Sequence, residues 1–287
     1  MSASFSLDPR DIEVDLNSLL GRGAAGIVTR AVHRPTGTPL AIKQMQLHDK
    51  SKREQLMNDV RTLVEAQSCR YLVHFYAAYF HKESGRVHLA LELMDMGSLH
   101  DVMKRINGPI PERFIGTIVY QILQGLAFLH GHKHLHRDIK PGNILLHSDG
   151  SVKLSDFGIS KTLDNTANVC DTFVGTATYM SPERCVGQDY SFCSDIWSLG
   201  MVIFEMASGR FPFPATASFP VLFDCLCHRP EPRLEEGVYS EELRALVAAC
   251  LQREPLQRPR AAALLEDNFF SKMATIENFS SFLSSLK

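Results

Sequence analysis

The spacing of apolar positions changes along the chain, and the change divides it in two. From Leu19 to Val32 (LLGRGAAGIVTRAV) and from Thr38 to Leu47 (TPLAIKQMQL), aliphatic and β-branched residues dominate, with the turn-forming PTG between them. That pattern predicts two strands. SKREQLMNDVRTLVEAQ carries Leu56, Val60, Leu63 and Val64 at helical spacing. Two further strands are expected in YLVHFYAAYF and RVHLALELM, joined by a polar KESG turn. Beyond MGSL the period lengthens, and ERFIGTIVYQILQGLAFLHG reads as a long helix with an apolar face, ended by Gly131. A loop-rich stretch from His134 to Arg184 then precedes a second helical region that opens near SDIWSLGMVIFEMASG. The order is strands with one helix, a hinge, then mostly helices, without internal repeats or low-complexity linkers.

Composition narrows the functional classes. At 287 residues the chain suits two modest lobes around a sizeable core. A net charge of −2 leaves no electrostatic footprint for nucleic acid. The 7 cysteines are odd in number and lack C-x-x-C or zinc spacing, so reduced thiols and a cytoplasmic location, with nuclear access, are expected. MSASFSLDPRD has no basic region followed by an apolar core, as a signal peptide requires. The longest apolar stretch, IWSLGMVIFEMA, is too short and interrupted for membrane insertion.

The chemistry begins at a weak motif. Gly21, Gly23 and Gly26 form a G-x-G-x-x-G, in which absent side chains let backbone N–H groups approach a phosphate. In a dinucleotide fold the third glycine opens a helix; here the strand-like IVTRAV follows, which favours a glycine-rich hairpin over ATP. Lys43, in the next strand after Ala41 and Ile42, becomes a candidate for the α- and β-phosphates. HLHRDIKPGNILL is far more specific. It offers Asp138 to accept a hydroxyl proton, Lys140 as a cation for the transferred phosphate, and the Asn143 amide oxygen for a metal ion. Asp156-Phe157-Gly158 adds a second metal-binding carboxylate.

With these motifs the chain resembles a eukaryotic protein kinase from about Val14 to about Phe270. The resemblance implies an α+β bilobal fold: a β-rich N-lobe with a helix αC (about 14–94) and a mainly helical C-lobe (about 95–270). Residues 1–13 form an extension and 271–287 a C-terminal helix. The resemblance makes Asp138 the catalytic base, assigns Mg²⁺ to Asn143 and Asp156, and brings Lys43 to the ATP phosphates. Lys140 fits the serine/threonine-type pattern. Around the adenine it puts Leu20 and Val28 above, Ala41 behind, Leu145 below and Leu91 at the back. Glu92 and Met94 would offer backbone hydrogen bonds, and Ser98 would reach the ribose.

One position departs from the pattern. Kinases pair this lysine with a glutamate on αC, but here Asp59 stands sixteen positions beyond Lys43. Leu56 and Leu63 put Asp59 on the helix's inward face, so it is expected to pair with Lys43.

The segment DTFVGTATYMSPER resembles that of MAP kinase kinases, as do HFYAAYF, LELMDMGSL, DFGIS and GRFPFP. The resemblance implies phosphorylation of Thr and Tyr in a downstream MAP kinase, activation by an upstream MAP kinase kinase kinase, and a candidate scaffold protein as a further partner. The activating sites would be Thr172 and, with the spacing of plant and protist members, Thr166. Arg137 would receive a loop phosphate. Thr176 would support Asp138, Glu183 would pair with Arg258, and Asp195 would hold the catalytic-loop backbone. An ordinary serine/threonine kinase of a neighbouring group and a weakly active or pseudokinase scaffold remain alternatives. The first 20 residues hold Arg10 against Asp8, Asp11, Glu13 and Asp15, so the family's basic docking element is not expected there. Near the other end, Ile276, Phe279, Phe282, Leu283 and Leu286 share a helical face. It suits either docking of the upstream kinase or packing on the C-lobe.

Overall fold

Five antiparallel strands build the first half: β1 (Ile12–Gly23), β2 (Gly26–His33), β3 (Thr38–Met45), β4 (Phe75–His81) and β5 (Arg86–Glu92), ordered β1-β2-β3-β5-β4. The computed structural model describes residues 7–23, 26–46, 60, 63–82, 84–157, 177–214 and 219–287. Alternation gives the sheet two faces. One buries Ala31, Leu40, Ile42 and Ala90 beneath Leu7, Ile12 and Val14. The other presents Val28, Ala41, Lys43 and Leu91 toward the C-lobe. Within the helical run expected over 51–67, Val60 and residues 63–65 are helical and Leu63 is buried. Asp59 lies outside the described residues, as do Thr166, Thr172 and Thr176.

One strand expectation fails in an informative way. The run from Tyr71 was expected to pair in the N-lobe, but β4 begins at Phe75. Leu72 instead bridges Leu154, with Val73 N–H donating to the Leu154 carbonyl at 3.0 Å and Leu154 N–H to the Tyr71 carbonyl at 2.9 Å. Apolar alternation marks a strand but does not name its partner.

The second half is helical. β6 (Gly97–Ser98) leads into α1 (Leu99–Ile106), and α2 (Glu112–Gly131) occupies the span expected for the long helix. By length and composition α2 could cross a membrane, yet 67% of its most apolar window is buried inside this lobe. The β7 (Ile144–Leu146) and β8 (Val152–Leu154) hairpin follows, then α3 (Pro182–Cys185) and α4 (Phe192–Ser208). Among the described residues α5 (Phe219–Cys227), α6 (Glu241–Cys250), α7 (Ala261–Leu264) and α8 (Ile276–Ser284) follow. α4 starts at a Ser191 capping box and ends at Gly209, whose φ of 69° continues no helix. It packs tightly on α6: a Cβ on Gly200 would come within 2.8 Å of the Cys250 Cβ.

The apolar face of α8 is spent on the lobe. Phe279 and Leu283 are fully buried, and Phe282 stacks on Phe114 of α2. Ile276 remains 45% exposed.

Candidate active site

A cavity of 560 Å³ lies between the sheet and the C-lobe. Its roof is the β1–β2 hairpin, where Gly23 pairs with Gly26 and Gly21 with Val28. The two roles of glycine differ here. Gly26 has φ +130°, and a Cβ there would sit 2.0 Å from the Gln44 carbonyl oxygen, so the sheet itself demands glycine. A Cβ on Gly21 would meet no atom within 4 Å, and Gly21 lines the cavity. Its missing side chain leaves space for a ligand beneath the backbone.

Leu20, Val28, Ala41, Leu91, Met94 and Leu145 form its apolar walls. Gly23, Gly26, Asp138, Lys140 and Asn143 do not line it directly. Two of the expected contact residues already make bonds within the protein. The Glu92 N–H already donates to the His74 carbonyl at 2.9 Å, so only its carbonyl remains to serve as a backbone contact. The Ser98 hydroxyl caps α1 and donates to Asp101 Oδ2 at 2.5 Å, so this cavity-lining residue also fixes the helix start. Asp101, unremarked in the sequence reading, joins Ser98 in the cavity wall. The S-x-x-D spacing of a capping box was the available signal.

Two opposite charges, Lys43 and Asp156, line the cavity, and a second charged cluster lies on the catalytic loop. Lys43, buried to 4% exposure by the sheet, places Nζ 2.6 Å from Asp156 Oδ1. Among the described residues Asp156 is therefore its ionic partner, joining the two lobes. Asp138 is 2.7 Å from Lys140 Nζ and accepts a hydrogen bond from Asn143 Nδ2 at 2.7 Å. Asn143 also donates to the Asp138 carbonyl at 2.8 Å, which leaves its amide oxygen without a hydrogen bond among the described residues. That oxygen and the Asp156 carboxylate are hard donors suited to Mg²⁺.

Asp195 explains why the catalytic loop holds its shape. It is fully buried, accepting from the His136 N–H (3.0 Å), the Arg137 N–H (2.9 Å) and Tyr190 Oη, and sharing a hydrogen bond with His130 Nε2 (2.9 Å). Arg137 has φ +71°, a left-handed conformation costing about 1–2 kcal/mol for a side chain of this kind. The two N–H bonds into Asp195 compensate and aim Asp138. Burial alone would raise the Asp195 pKa; His130, the nearby His136 and Tyr190 together hold it below the ordinary value. Burial lowers the His136 pKa, keeping a neutral imidazole whose Nδ1 accepts from the Asp138 N–H. Arg137 Nε is buried without a hydrogen-bond partner among the described residues.

Farther out, Arg258 meets Glu183 in two parallel bonds of 2.8 Å, both side chains almost wholly buried. Burial raises the Glu183 pKa, but the Arg258 bonds and charge outweigh it and lower the value overall.

A model of the protein kinase domain matches residues 14–270. Mitogen-activated protein kinase kinase 3 of Arabidopsis thaliana is 42% identical over 91% of this chain, which spans 50% of that relative. Mitogen-activated protein kinase kinase 2 of the same plant is 39% identical over 91% of the chain and 73% of the relative. Dual specificity mitogen-activated protein kinase kinase 1 of Dictyostelium discoideum is 45% identical over 73% of the chain and 31% of the relative. The family match, the lysine–aspartate pair across the cavity and the buried acid beneath the catalytic loop agree: this chain belongs to the protein kinase family and, within it, to the MAP kinase kinases.

Proposed function

We propose that this enzyme phosphorylates Thr and Tyr in the activation loop of a MAP kinase, using Mg²⁺ and ATP. The observation that carries the reading is an apolar cavity lined by the Lys43–Asp156 ion pair, with the Asp138–Lys140–Asn143 cluster tied to its wall where the Ser155 hydroxyl donates to the Asn143 carbonyl. ATP supplies the phosphoryl group, and Mg²⁺ offsets its charge. Asp138 orients the acceptor hydroxyl and takes its proton. Lys140, beside Asp138, neutralises charge on the transferred group. Lys43 fixes the phosphate end of the nucleotide, Asn143 and Asp156 hold the metal, and Leu20, Val28, Ala41 and Leu145 exclude water from the base. Asp59 supports Lys43 from αC.

An upstream MAP kinase kinase kinase switches the enzyme on at Thr172 and Thr166. The Arg137 Nε, without a hydrogen-bond partner among the described residues, supports this, since a loop phosphate gives that half-buried side chain an anionic partner. The kinase works in the cytoplasm, where its cascade partners meet it.

The test incubates the Thr166→Glu/Thr172→Glu protein with Mg-ATP and a catalytically dead MAP kinase, then maps the products by mass spectrometry. Phosphate on both Thr and Tyr of the target loop, absent with Asp138→Ala, is expected. Phosphate confined to scattered serines and threonines would instead support a kinase of a neighbouring group.

A further inference from the structure

The hinge segment between the lobes is fastened at both ends by one small element, the β7–β8 hairpin. At the first end Glu92, which closes β5, binds Lys153 of β8 through both carboxylate oxygens at 2.7 Å. Both side chains are mostly buried, at 26% and 15% exposure. At the second end Asp95 accepts from Ser148 in the hairpin turn, from its N–H at 2.7 Å and its hydroxyl at 2.7 Å. Lys287 Nζ reaches the same Asp95 carboxylate at 3.0 Å. Met96 N–H donates to the Leu146 carbonyl of β7 at 3.1 Å. Glu92, Met94 and Asp95 all line the cavity, so whatever holds the hairpin also sets the shape of the cavity wall.

The hairpin turn is in turn gripped from below. Ser280 of α8 donates its hydroxyl to the Ser148 carbonyl at 2.6 Å. Gly150, at φ +90°, is pressed against α8: a Cβ there would meet Ile276 at 3.0 Å. Gln121 of α2 donates to the Gly150 carbonyl at 3.0 Å and accepts from the Val152 N–H at 3.0 Å. A continuous chain of contacts thus runs from α8 through Ser148 to Asp95. Among the described residues, Ser280, Ser148 and Asp95 make no hydrogen bond to Asp138, Lys140 or Asn143.

We propose that Ser280, Ser148 and Asp95 are positioning residues for the nucleotide, through which helix α8 sets the affinity of the hinge for ATP. The assignment rests on reading the cavity as the ATP site. Asp95 is held in its charged form by Ser148 and Lys287 against the opposing effect of burial, with a pKa of about 2. The Ser148–Asp95 bonds are therefore charge-assisted throughout the working pH range. Loosening α8 releases Ser148, Ser148 releases Asp95, and the hinge loses its fixed spacing.

The experiment measures ATP dissociation constants calorimetrically, with KM for ATP, kcat and melting temperature, for the wild-type chain and four variants. Ser148→Ala is expected to weaken ATP about tenfold, the scale of a lost charge-assisted hydrogen bond, and Ser280→Ala about threefold. Both should leave kcat at saturating ATP unchanged. Ser148→Thr and Ser280→Thr, which retain the hydroxyls, should restore affinity, separating the relay from a general loosening of the lobe. Wild-type affinity in Ser148→Ala, or a fall in kcat with KM unmoved, would overturn the positioning role and leave the cavity reading intact. Failure of the wild-type chain itself to bind ATP would overturn both.

Discussion

The two halves of the active site are held in place by different physics. On the N-lobe side Lys43 stands on a regular strand, with neighbours on β2 and β5 in an unbroken antiparallel ladder. Its position follows from pleat and register, and tolerance is set by steric room, as at Gly26. On the C-lobe side Asp138 sits on irregular backbone, next to a left-handed Arg137, and Asn143 ends a short 3-10 turn, Pro141–Asn143. That loop is shaped by the buried carboxylate of Asp195, and the lobe around it by the Glu183–Arg258 pair. Backbone geometry positions one half and buried charge the other. The N-lobe half should therefore respond to changes of shape, and the C-lobe half to changes of charge.

The largest effect expected is on rate. Asp138→Ala should lower kcat about 10³–10⁴-fold, the upper range for losing a general base, with the melting temperature nearly unchanged. Next comes stability in the C-lobe. Glu183→Ala strands the Arg258 guanidinium at 0% exposure and should cost about 3–5 kcal/mol in denaturant unfolding. A shape change in the N-lobe ranks below these. Gly26→Ala forces its Cβ against the Gln44 carbonyl and should cost about 1–3 kcal/mol, while raising KM for ATP more than it lowers kcat. If Gly26→Ala were neutral in both readouts, the hairpin would not be placed by close packing, and the comparison would weaken on that side.

The smallest effect expected is on acid tolerance. Glu183 has a folded pKa below its ordinary value of 4.5. The pair's contribution is therefore complete above that value and is lost as pH falls through the lower folded one. Between wild type and Glu183→Gln, the gap in stability should narrow as the pH is taken down through this window. A gap that held constant to pH 2, an order-of-magnitude lower bound for such carboxylates, would remove the charge argument for this pair.

Local and contiguous features were legible in the sequence. The hairpin glycines, the α2 helix and the H-R-D and D-F-G motifs each compress their information into a short run. The Glu183–Arg258 pair and the Asp195 anchor were accessible through family resemblance. What the residues alone did not disclose were pairings across long separations, such as Lys153 with Glu92 and Ser148 with Asp95. Nothing near either residue in sequence marks its partner. Tyr71–Val73 illustrate the same point, since their apolar pattern fits a strand equally well beside β8 or in the N-lobe sheet. Ser98 is different: the S-x-x-D spacing made its capping box with Asp101 readable from the sequence.

The claim that buried charge shapes the catalytic half is tested most directly by the turnover of Asp195→Asn. The substitution keeps the volume of the side chain and removes its charge, loosening the grip on the His136 and Arg137 N–H groups. kcat should fall about 10²-fold, as expected for a catalytic group displaced by roughly an ångström, in a protein that still binds ATP. Wild-type kcat in Asp195→Asn would contradict the account, because the loop would then hold Asp138 in place without the buried acid.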